Sequence, residues 1–532
     1  IDGGGDDDFI VGGAGSNTLA GDAGNDTFVF TDNGATDQLS DSLGTDVADF
    51  SSFSSSLTLA VGDASEPAPV VVSRQYNTFR TEFLTDTIES VLLGSGDDLL
   101  RVKDAAATIA TVDARSGTDD LSYQSHGAWS AWTTGVAVDL AAGTATGFGG
   151  LLNVEDVAGG EADDTLLGSA AANSLAGHGG NDTLDGRAGN DRLTGGAGND
   201  SLTGGADDDV LLGGAGVNTL AGGTGNDGYV GEDLSQNDTL VEHPGEGIDG
   251  IDFVYVSGAP VTITLDGAIT ATVSNSTVTA ANMNAFESIR GGSDADRFVV
   301  ADGVVFNGRL NGGTVQSNDF ADMNILDLSA WTTPVSVDYT GQLSATSLET
   351  ASVATGGVVW LQHVIGGSAG DSFTGGHQPV WFEGNGGGDS LTGSSQNDRL
   401  AGGAGNDTLA GGFGNDAFVF ADLFGTDAVN EGASGGTDTM DFSAVTTPLE
   451  VLLGSVTVSD GTSTATHASD HIETVVGGAA NDAFVMTGAI VTFPGTLDGG
   501  GGTNTLWYDD PDASIVVAVE AGQTPNVETA DN

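Results

Sequence analysis

Cysteine is absent from the 532-residue chain, and basic residues are scarce, with 11 Lys plus Arg against 76 Asp plus Glu. A chain without cysteine has no disulfide framework, no thiolate zinc site and no cysteine nucleophile, which leaves oxygen ligands of the kind that hard cations prefer. The formal net charge of -65 repels phosphate backbones and anionic lipid headgroups. We therefore expect no nucleic-acid partner, and divalent cations are the favoured small partners.

Long apolar runs are missing as well. No stretch of about 18 apolar residues occurs, so the sequence predicts no membrane span. The chain starts at Ile1 without a methionine, a basic segment or an apolar leader, and we expect a fragment of a longer or processed chain. Proline is rare, with 10 residues, whereas glycine is abundant, with 86. Such an excess of glycine indicates an internal repeat rather than several ordinary domains.

Three blocks of the sequence repeat a nonapeptide of the form G-G-x-G-x-D-x-U-x, where U is a large apolar residue. They cover residues 3–29, 159–230 and 366–419 in three, eight and six units, without a register slip inside any block. Glycines at positions one, two and four permit the backbone angles of a tight turn. The last three residues suit a short strand whose middle side chain points inward. Two units then make one coil.

The inward side chains of position eight form a predicted core ladder. Its members are Ile10, Leu19, Phe28, Leu166, Leu175, Leu184, Leu193, Leu202, Leu211, Leu220, Tyr229, Phe373, Phe382, Leu391, Leu400, Leu409 and Phe418.

Position six carries an aspartate in most units, and these aspartates are the predicted metal ligands. Units two apart stack on the same side at about 4.8 Å, which places Asp182 over Asp200 and Asp389 over Asp407. Carboxylates stacked this closely repel unless a cation lies between them. The alternative is that they are ordinary turn-forming residues. The predicted ligands are Asp8, Asp26, Asp164, Asp182, Asp191, Asp200, Asp209, Asp227, Asp371, Asp389, Asp398, Asp407 and Asp416.

Four units depart from the pattern at position six. Asn17, Asn173 and Asn218 are expected to give weak or absent sites, and Val380 cannot act as a ligand, so a site that it would share with Asp398 is expected to be lost. Stacked carboxylate pairs and turn carbonyls together predict on the order of ten metal ions.

Units such as GHGGNDTLD, GRAGNDRLT and GGAGNDSLT (177–203) resemble the calcium-binding repeats of the RTX (repeats-in-toxin) family. The resemblance implies a right-handed parallel β-roll that holds several Ca²⁺ ions. It also implies export by a type I secretion system, in which the chain leaves the cell unfolded and folds outside in millimolar calcium. Folding and calcium binding should then be coupled.

A longer repeat occupies the segments between the nonapeptide blocks. It joins an acidic turn and an apolar-aromatic-Ser step to a strand of period two, as in TMDFS (439–443) followed by LEVLL (449–453). Hinges such as IESVLLGSGDDLL (88–100), FESIRGGSDADRF (286–298) and HIETVVGGAANDAF (471–484) lead back into the nonapeptide pattern. Asp98, Asp296 and Asp482 then take the place of a position-six residue.

The predicted fold class is all-β, a right-handed parallel β-roll or β-solenoid in which regular coils alternate with irregular, wider coils and helix is almost absent. The predicted segments are a roll block at 1–30, an irregular segment at 31–158, a roll block at 159–230, an irregular segment at 231–365, a roll block at 366–419 and an irregular segment at 420–532.

Catalytic motifs are weak, and we expect no enzyme and no catalytic residue. Two G-x-S-x-G matches, at Ser368 and Ser434, lie in a chain rich in Gly and Ser, and neither follows a strand and opens a helix. Paired carboxylates serve polysaccharide chemistry in some proteins, but here turns or calcium account for nearly all of them.

The sequence thus favours a secreted, calcium-folded structural or adhesive part of a bacterial cell surface or extracellular assembly. We expect self-assembly with copies of itself or with other surface proteins. One alternative is the repeat portion of a type I secreted enzyme, such as a protease, a lipase or a polysaccharide epimerase. Another is a calcium-dependent adhesin that binds carbohydrate through exposed aromatic residues.

Overall fold

The computed structural model describes all but a set of short stretches of the chain. The residues outside it are 32–35, 62–69, 75–79, 84–87, 103–108, 125–133, 232–236, 244–245, 274–275, 307, 314–319, 340–348, 352–353, 432–435, 454–455, 468–470, 487–492, 494, 509–525 and 530–532. The chain divides into two compact units, Ile1–Asp252 with Ser274–Ala285 and Phe253–Val273 with Phe286–Asn532. Each unit is a stack of short strands, and successive coils pair in parallel register.

In the first unit the chain alternates between opposed sheets. One sheet runs in the order Asp2–Gly4, Thr18–Asp22, Thr36–Ser40, Arg80–Phe83, Val70–Arg74, Leu57–Val61, Leu99–Val102, Asp120–Ser122, Asp156–Ala158, Ser174–Gly179, Arg192–Ala197, Val210–Ala215, Gly228–Val230 and Gly250–Asp252. Opposite lie Phe9–Val11, Thr27–Val29, Asp46–Asp49, Ile88–Leu92, Thr111–Asp113 and Leu151–Leu152. A further sheet contains Thr144–Ala145, Ala137–Asp139, Thr165–Leu167, Thr183–Ala188, Ser201–Ala206, Thr219–Thr224, Asp238–Val241 and Ser276–Ala280.

The second unit repeats this plan. One sheet contains Ser288–Arg290, Arg309–Asn311, Ala354–Val359, Glu349–Ala351, Ser336–Asp338, Ser372–Thr374, Ser390–Thr392, Thr408–Ala410, Thr426–Val429, Thr464–His467, Thr457–Ser459, Glu450–Leu453, Ala483–Met486, Thr505–Tyr508 and Asn526–Thr529. The other contains Ile269–Val273, Thr262–Leu265, Arg297–Val300, Ile325–Asp327, His363–Ile365, Trp381–Glu383, Arg399–Ala401, Ala417–Ala421, Thr439–Ala444, Thr474–Val476 and Thr496–Asp498. Gly386–Gly387 pairs with Ala404–Gly405.

The core of each unit is the ladder of position-eight side chains, stacked at a spacing of one coil. Leu175 pairs in register with Leu193, and Leu193 pairs with Leu211. All the predicted members of the ladder are buried, from Ile10 at 4% exposed to Phe418 at 0%. Burying each such side chain contributes roughly 1.5–3 kcal/mol. The all-β, parallel-roll fold class is thereby confirmed.

Helical structure in the described part of the chain consists of two short 3₁₀ turns, Met283–Ala285 and Phe320–Asp322. Within the same part of the chain, no helix has the length and apolar character needed to cross a membrane.

The segments between the nonapeptide blocks contain antiparallel strands that a wholly parallel model does not predict. In the first unit Leu57–Val61, Val70–Arg74 and Arg80–Phe83 form an antiparallel meander. The third of these strands pairs in parallel with the preceding coil strand, Thr36–Ser40, and the first pairs with the following one, Leu99–Val102. The meander therefore inserts two extra strands without interrupting the stack.

Two more meanders of this kind lie in the second unit, and two-stranded hairpins occur in both units. The second-unit meanders are Ser336–Asp338 with Glu349–Ala351 and Ala354–Val359, and Glu450–Leu453 with Thr457–Ser459 and Thr464–His467. The hairpins are Ala137–Asp139 with Thr144–Ala145 and Thr262–Leu265 with Ile269–Val273.

Several coils outside the nonapeptide blocks carry an aromatic residue at position one. Regular coils have glycine there, whereas the apolar-aromatic-Ser steps place a large side chain at the same point. Phe30 stacks on Phe50 with ring centroids 4.5 Å apart, and Phe420 stacks on Phe442 at 4.4 Å. All four rings are at most 2% exposed. In these coils aromatic residues at position one thus fill the interior.

Candidate metal sites

The thirteen predicted position-six aspartates lie in the turns between the opposed sheets. Twelve of them are at most 3% exposed, and Asp8 is half-buried. Buried carboxylates are rare in proteins unless they are paired or bind metal ions. The hydrogen-bond partners of each carboxylate oxygen therefore indicate whether it is available to a metal ion.

One oxygen of twelve of these thirteen carboxylates accepts a backbone N–H in a ladder of hydrogen bonds between coils. The backbone N–H of Asp164 donates to Asp182 Oδ1 at 2.8 Å, and the N–H of Asp182 donates to Asp200 Oδ1 at 2.8 Å. In the second unit Asp389 donates in the same way to Asp407 Oδ1 at 2.8 Å. The expected stacking of these aspartates in neighbouring coils is confirmed, and Oδ1 is occupied by a backbone donor.

The other oxygen, Oδ2, is buried in most of these aspartates and accepts no hydrogen bond. The predicted ligands whose Oδ2 is in this state are Asp8, Asp26, Asp182, Asp191, Asp200, Asp209, Asp227, Asp389, Asp407 and Asp416. A buried anionic oxygen without a donor costs several kcal/mol in the absence of a counter-cation.

A carbonyl oxygen of the next coil approaches the same space. A Cβ on Gly177 would lie 2.2 Å from Asp182 Oδ2 and 2.7 Å from the carbonyl oxygen of Gly195. On Gly204 it would lie 2.3 Å from Asp209 Oδ2 and 2.6 Å from the Gly222 carbonyl oxygen. Oxygens that converge without an N–H between them fit a hard cation such as Ca²⁺, whose ligands are carboxylates and carbonyls.

Substituting a position-one glycine should therefore disturb the candidate site. A Cβ at Gly195 would lie 2.4 Å from Asp200 Oδ2, so we expect Gly195→Ala to destabilise the calcium-bound chain by about 1–3 kcal/mol through overpacking. The measurement is thermal unfolding in saturating calcium. Gly228→Ala is the matched control, because its nearest neighbour would be 3.8 Å away, and equal effects of the two substitutions would contradict the assignment.

Burial makes these carboxylates hard to ionise in the metal-free fold. Desolvation, with repulsion from neighbouring carboxylates, raises the pKa of Asp182, Asp209 and Asp389 to about 7. The same causes raise the pKa of Asp416 to about 8. A cation at Oδ2 would offset both effects.

A second ladder, which the sequence reasoning did not predict, uses position five. Asn181 Oδ1 accepts the N–H of Asn199 at 2.8 Å, and Asn199 Oδ1 accepts the N–H of Val217 at 2.8 Å. These side chains accept from the following coil, whereas the position-six aspartates accept from the preceding one. The two ladders together hold neighbouring turns in register.

The aspartate ladder also continues beyond the nonapeptide blocks. The hinge motifs predicted this for Asp98, Asp296 and Asp482, which the structure places in the ladder, whereas the other members were missed. Asp119 Oδ1 accepts the N–H of Asp98 at 2.6 Å, and Asp427 Oδ1 accepts that of Asp407 at 2.9 Å. The further members that accept such bonds are Asp37, Asp46, Asp98, Asp238, Asp249, Asp296, Asp438 and Asp482. The available signal was an aspartate two residues before each buried strand centre.

Glutamates of the hinge motif end several ladders. Glu155 Oε2 accepts the N–H of Asp119 at 3.0 Å, and Glu473 Oε2 accepts that of Asp438 at 2.9 Å. Glu89 does the same for Asp46 at 2.7 Å. The hinge glutamate therefore takes the role of an aspartate Oδ1 from a different backbone position.

Three predicted ligands differ from the rest because their Oδ2 accepts a backbone N–H. Gly160 donates to Asp164 Oδ2 at 2.6 Å, and Gly367 donates to Asp371 Oδ2 at 2.9 Å. Ser394 donates in the same way to Asp398 Oδ2 at 2.5 Å. These three carboxylates have less need of a cation. The loss of a site at Val380 stays a prediction, which the contact of Asp398 supports.

The asparagines at position six have a different set of hydrogen bonds. Asn218 is fully buried, its Oδ1 accepts the N–H of Asp200 at 2.9 Å, and its Nδ2 donates to the Gly214 carbonyl at 3.2 Å. An amide that donates as well as accepts carries no charge to neutralise. Weak or absent metal binding at Asn173 and Asn218 stays a prediction, and these contacts support it.

Of the two G-x-S-x-G matches, Ser434 lies outside the described residues. The N–H of Ser368 donates to the carbonyl of Trp331 at 2.9 Å, within a turn that stacks on the preceding coil. Trp331 is 6% exposed, and its indole N–H donates to the Val300 carbonyl at 3.0 Å. Both contacts are structural in character.

Buried carboxylates stacked on a parallel β-roll define a calcium-binding repeat protein. The family model of the RTX calcium-binding nonapeptide repeat matches in four copies, at residues 1–30, 158–193, 194–229 and 383–418. These segments are RTX repeats, and the resemblance seen in the nonapeptides is confirmed.

Other comparisons add less. A search of curated proteins gives no match. Among solved structures the chain matches the extracellular lipase LipA from Serratia marcescens at 16% identity, over 58% of this chain and 39% of the lipase chain, with a TM-score of 0.17. The matched region thus spans well under half of the lipase.

Proposed function

We propose that the position-six aspartates are the calcium ligands of a protein whose fold depends on the metal, and that the chain serves as a non-catalytic structural or adhesive part of an extracellular assembly. The observation that carries the proposal is the row of buried aspartate Oδ2 atoms without hydrogen-bond donors, which recurs in both units. Each such oxygen faces a position-one glycine rather than a cation of the protein itself, as Asp182 Oδ2 faces Gly177.

The magnitude of the penalty supports dependence on calcium. Each uncompensated buried carboxylate costs several kcal/mol, whereas a typical domain is stable by only about 5–15 kcal/mol. A few such oxygens therefore suffice to unfold a metal-free block at neutral pH. The net charge of -65 adds self-repulsion to the compact state.

The ligand set also supports an extracellular setting. In a regular coil, each candidate site draws on few carboxylates and on backbone carbonyls, and calcium sites of low ligand charge in extracellular modules have dissociation constants of about 10⁻⁴–10⁻³ M. Sites of that affinity would stay empty inside a cell and fill outside it. Calcium-triggered folding outside the cell follows from this proposal. Type I export and attachment at the cell surface are further parts of the proposal, and the similarity to RTX repeats supports them.

The test is folding at buffered free calcium, from about 0.1 µM to about 10 mM, a range that brackets the sensor and extracellular classes of site. We expect the β-structure signal in circular dichroism to appear near millimolar calcium. A chain that is fully folded at the lowest concentration would contradict an extracellular folding trigger.

Self-assembly and the absence of catalysis are separate parts of the proposal. Sedimentation of the folded chain at several protein concentrations tests assembly, and a monodisperse monomer throughout would contradict it. Assays of the calcium-loaded chain on ester, peptide and uronic-acid polymer substrates test the non-catalytic role, and reproducible turnover would overturn it.

Single ligands can be tested inside one block. Asp209 stacks between Asp191 and Asp227, and its Oδ2 has no donor. We expect Asp209→Asn to weaken calcium binding at that coil by at least about tenfold, because a charged ligand is lost. Isothermal titration calorimetry measures the change.

The matched control is Asp398→Asn. Ser394 already donates to Asp398 Oδ2 at 2.5 Å, so the carboxylate at this position is satisfied by the protein. Its substitution should change calcium binding much less than Asp209→Asn does. Equal losses at the two positions would show that charge alone, rather than the donor-free Oδ2, controls binding.

A further inference from the structure

Each nonapeptide block is followed by an acidic residue at position one of a later coil, where regular coils have glycine. Asp41, Glu242 and Glu431 take this place, each 20 residues after the position-one glycine below it. Those glycines are Gly21, Gly222 and Gly411. The substitution recurs at the end of all three blocks, in both units, and neither the repeat pattern nor the core requires it.

The acidic side chain replaces a backbone ligand by a charged one. In regular coils the space at the position-one glycine is bounded by Asp Oδ2 and a glycine carbonyl oxygen, as described for Gly177. At the block ends the carbonyl gives way to a carboxylate. A Cβ on Gly21 would lie 2.2 Å from Asp26 Oδ2 and 2.4 Å from Asp41 Oδ1.

The other two block ends repeat this geometry. A Cβ on Gly222 would lie 2.5 Å from Asp227 Oδ2 and 2.7 Å from Glu242 Oε2. A Cβ on Gly411 would lie 2.3 Å from Asp416 Oδ2 and 2.4 Å from Glu431 Oε2. Aspartate and glutamate reach the same point by different side-chain lengths.

A third carboxylate lies close to the other two in the first two groups. One carboxylate oxygen from each of Asp26, Asp41 and Asp46 lies within 4.8 Å of the others, and the same holds for the group of Asp227, Glu242 and Asp249. Ligands on opposite sides of Ca²⁺ are up to about 5 Å apart, because each lies at about 2.3–2.6 Å from the ion. The spacing of the oxygens therefore fits one shared cation.

In the third group Asp438 holds the corresponding place. Its Oδ1 accepts the N–H of Asp416 at 2.9 Å, just as Asp46 Oδ1 accepts the N–H of Asp26 at 2.7 Å. The ladder contact that fixes the third carboxylate is thus the same in both units.

Donor-free oxygens point into these groups. Asp26 and Asp46 are 0% exposed, Asp227 is 2% exposed and Asp416 is 1% exposed, and Oδ2 of each accepts no hydrogen bond. Three acidic side chains with buried oxygens this close repel one another unless they share protons or a cation lies among them. The orphaned oxygens are an observation independent of the acidic composition.

We infer that each nonapeptide block closes on a three-carboxylate cation site that differs from the sites of the regular coils. More ligand charge raises the affinity for Ca²⁺, so these sites fill first as calcium rises and release it last. Trivalent lanthanides should also bind more tightly at these sites than at the sites of the regular coils, because the added attraction scales with the charge of the ion. The inference rests on the proposed function only in taking calcium as the natural ion.

The second group contains a natural reporter. The hydroxyl of Tyr229 donates to Glu242 Oε2 at 2.5 Å and accepts the N–H of Gly222 at 2.5 Å. A Tb³⁺ ion held by Glu242 would lie beside this phenol and be excited through it. Tyrosine-sensitised terbium emission therefore includes this site, and the part of the emission that depends on Glu242 reports on it.

The experiment uses the full chain and counts retained calcium by equilibrium dialysis at stepwise lowered free calcium. The triple variant Asp41→Gly, Glu242→Gly and Glu431→Gly restores the glycine that regular coils have at position one. We expect it to lack the three ions that the parent chain retains longest, while the later-filling sites are unchanged. Glu161→Gln, at an exposed position-three glutamate, is the control for loss of charge.

A second measurement remains decisive if the triple variant does not fold. Glu242→Gln should reduce tyrosine-sensitised terbium emission at substoichiometric Tb³⁺ by several-fold, and Asp41→Gly should leave it unchanged. Emission that is equal in the parent and in Glu242→Gln would overturn the inference.

The outcomes separate this inference from the proposed function. If the parent chain folds with calcium but the triple variant retains as many tight ions, the carboxylates hold one another by shared protons and the block-end sites are refuted alone. If the parent chain binds no calcium and its circular dichroism never changes, the proposed calcium-dependent fold and this inference both fail.

Discussion

Removal of calcium at pH 8 should convert the nonapeptide blocks from β-structure to an extended chain, and re-addition should restore the fold. The reason is electrostatic, because at this pH the donor-free Oδ2 atoms of Asp182, Asp200 and Asp209 are buried anions without a counter-charge. Their summed cost exceeds the stability of a typical domain. Circular dichroism and sedimentation velocity during a calcium titration measure the transition, which should be cooperative.

Magnesium is the control for this titration. Mg²⁺ demands octahedral geometry at about 2.0–2.1 Å and gives up water reluctantly, so it should not replace Ca²⁺ between stacked carboxylates and carbonyls. Full folding in magnesium alone would show that charge screening, and not a fitted site, stabilises the roll. Unchanged β-structure in a chelator would contradict the calcium requirement itself.

Protons should substitute for calcium in part, so the metal-free chain should gain β-structure as the pH falls from 8 to 5. The pKa of Asp182, Asp209 and Asp389 in the fold is about 7, and that of Asp416 is about 8, all raised chiefly by desolvation. In an unfolded chain the pKa of aspartate is about 3.9. The folded state therefore binds more protons than the unfolded state between these limits.

The sign of the effect follows from linkage. A carboxyl group whose pKa is higher in the folded state than in the unfolded state adds to the stability of the fold. This added stability is fully present below the unfolded pKa and is lost as the pH rises through about 7–8. The opposite behaviour occurs where hydrogen bonds to the ionised form lower a pKa, as Arg187 does for Asp139 and Thr446 does for Asp422. Metal-free stability should thus increase on acidification to pH 5.

The acid effect is measured by circular dichroism of the decalcified chain between pH 8 and pH 5, with sedimentation to distinguish folding from association near the isoelectric point of about 4.1. A midpoint between about pH 6 and pH 7 is expected from the raised pKa values. A metal-free chain that stays unfolded and monomeric at pH 5 would contradict the proposed burial of these carboxyl groups. A chain that loses structure on acidification would contradict it too.

The regular coils could be predicted from sequence because glycine, aspartate and one apolar residue each have a single role there. Leu184 at position eight is fully buried, and Asp182 at position six contacts Asp200 in the next coil, as the periodicity indicated. Positional repetition made these assignments secure, since an error of one residue would have exposed the whole ladder.

The antiparallel meanders and hairpins were missed because a strand of period two looks the same in a parallel and an antiparallel pair. The dipeptide Asp-Gly, at 266–267 and at 460–461, is typical of hairpin turns, which need positive φ values. Gly267 and Gly461 indeed have φ values of 108° and 84°. In a chain with 86 glycines these two dipeptides do not stand out.

The block-end carboxylates were missed for a different reason. Asp41 and Glu431 lie in coils that are longer than 18 residues, so their position-one register is visible only once Gly21 and Gly411 are seen beside them. Sequence alone gives the period within a block but not the number of residues added where the period breaks. Ladder members such as Asp427 and Asp438 escaped notice for the same reason.

The most direct test of the central claim is anomalous diffraction from crystals of the chain grown in calcium, with data collected where calcium scatters anomalously. The account predicts peaks between neighbouring coils, beside Oδ2 of Asp182, Asp209 and Asp389 and next to the position-one glycines, with a peak also at each block end. A folded roll in which these oxygens accept hydrogen bonds from water or protein, and no anomalous peak lies beside them, would contradict it.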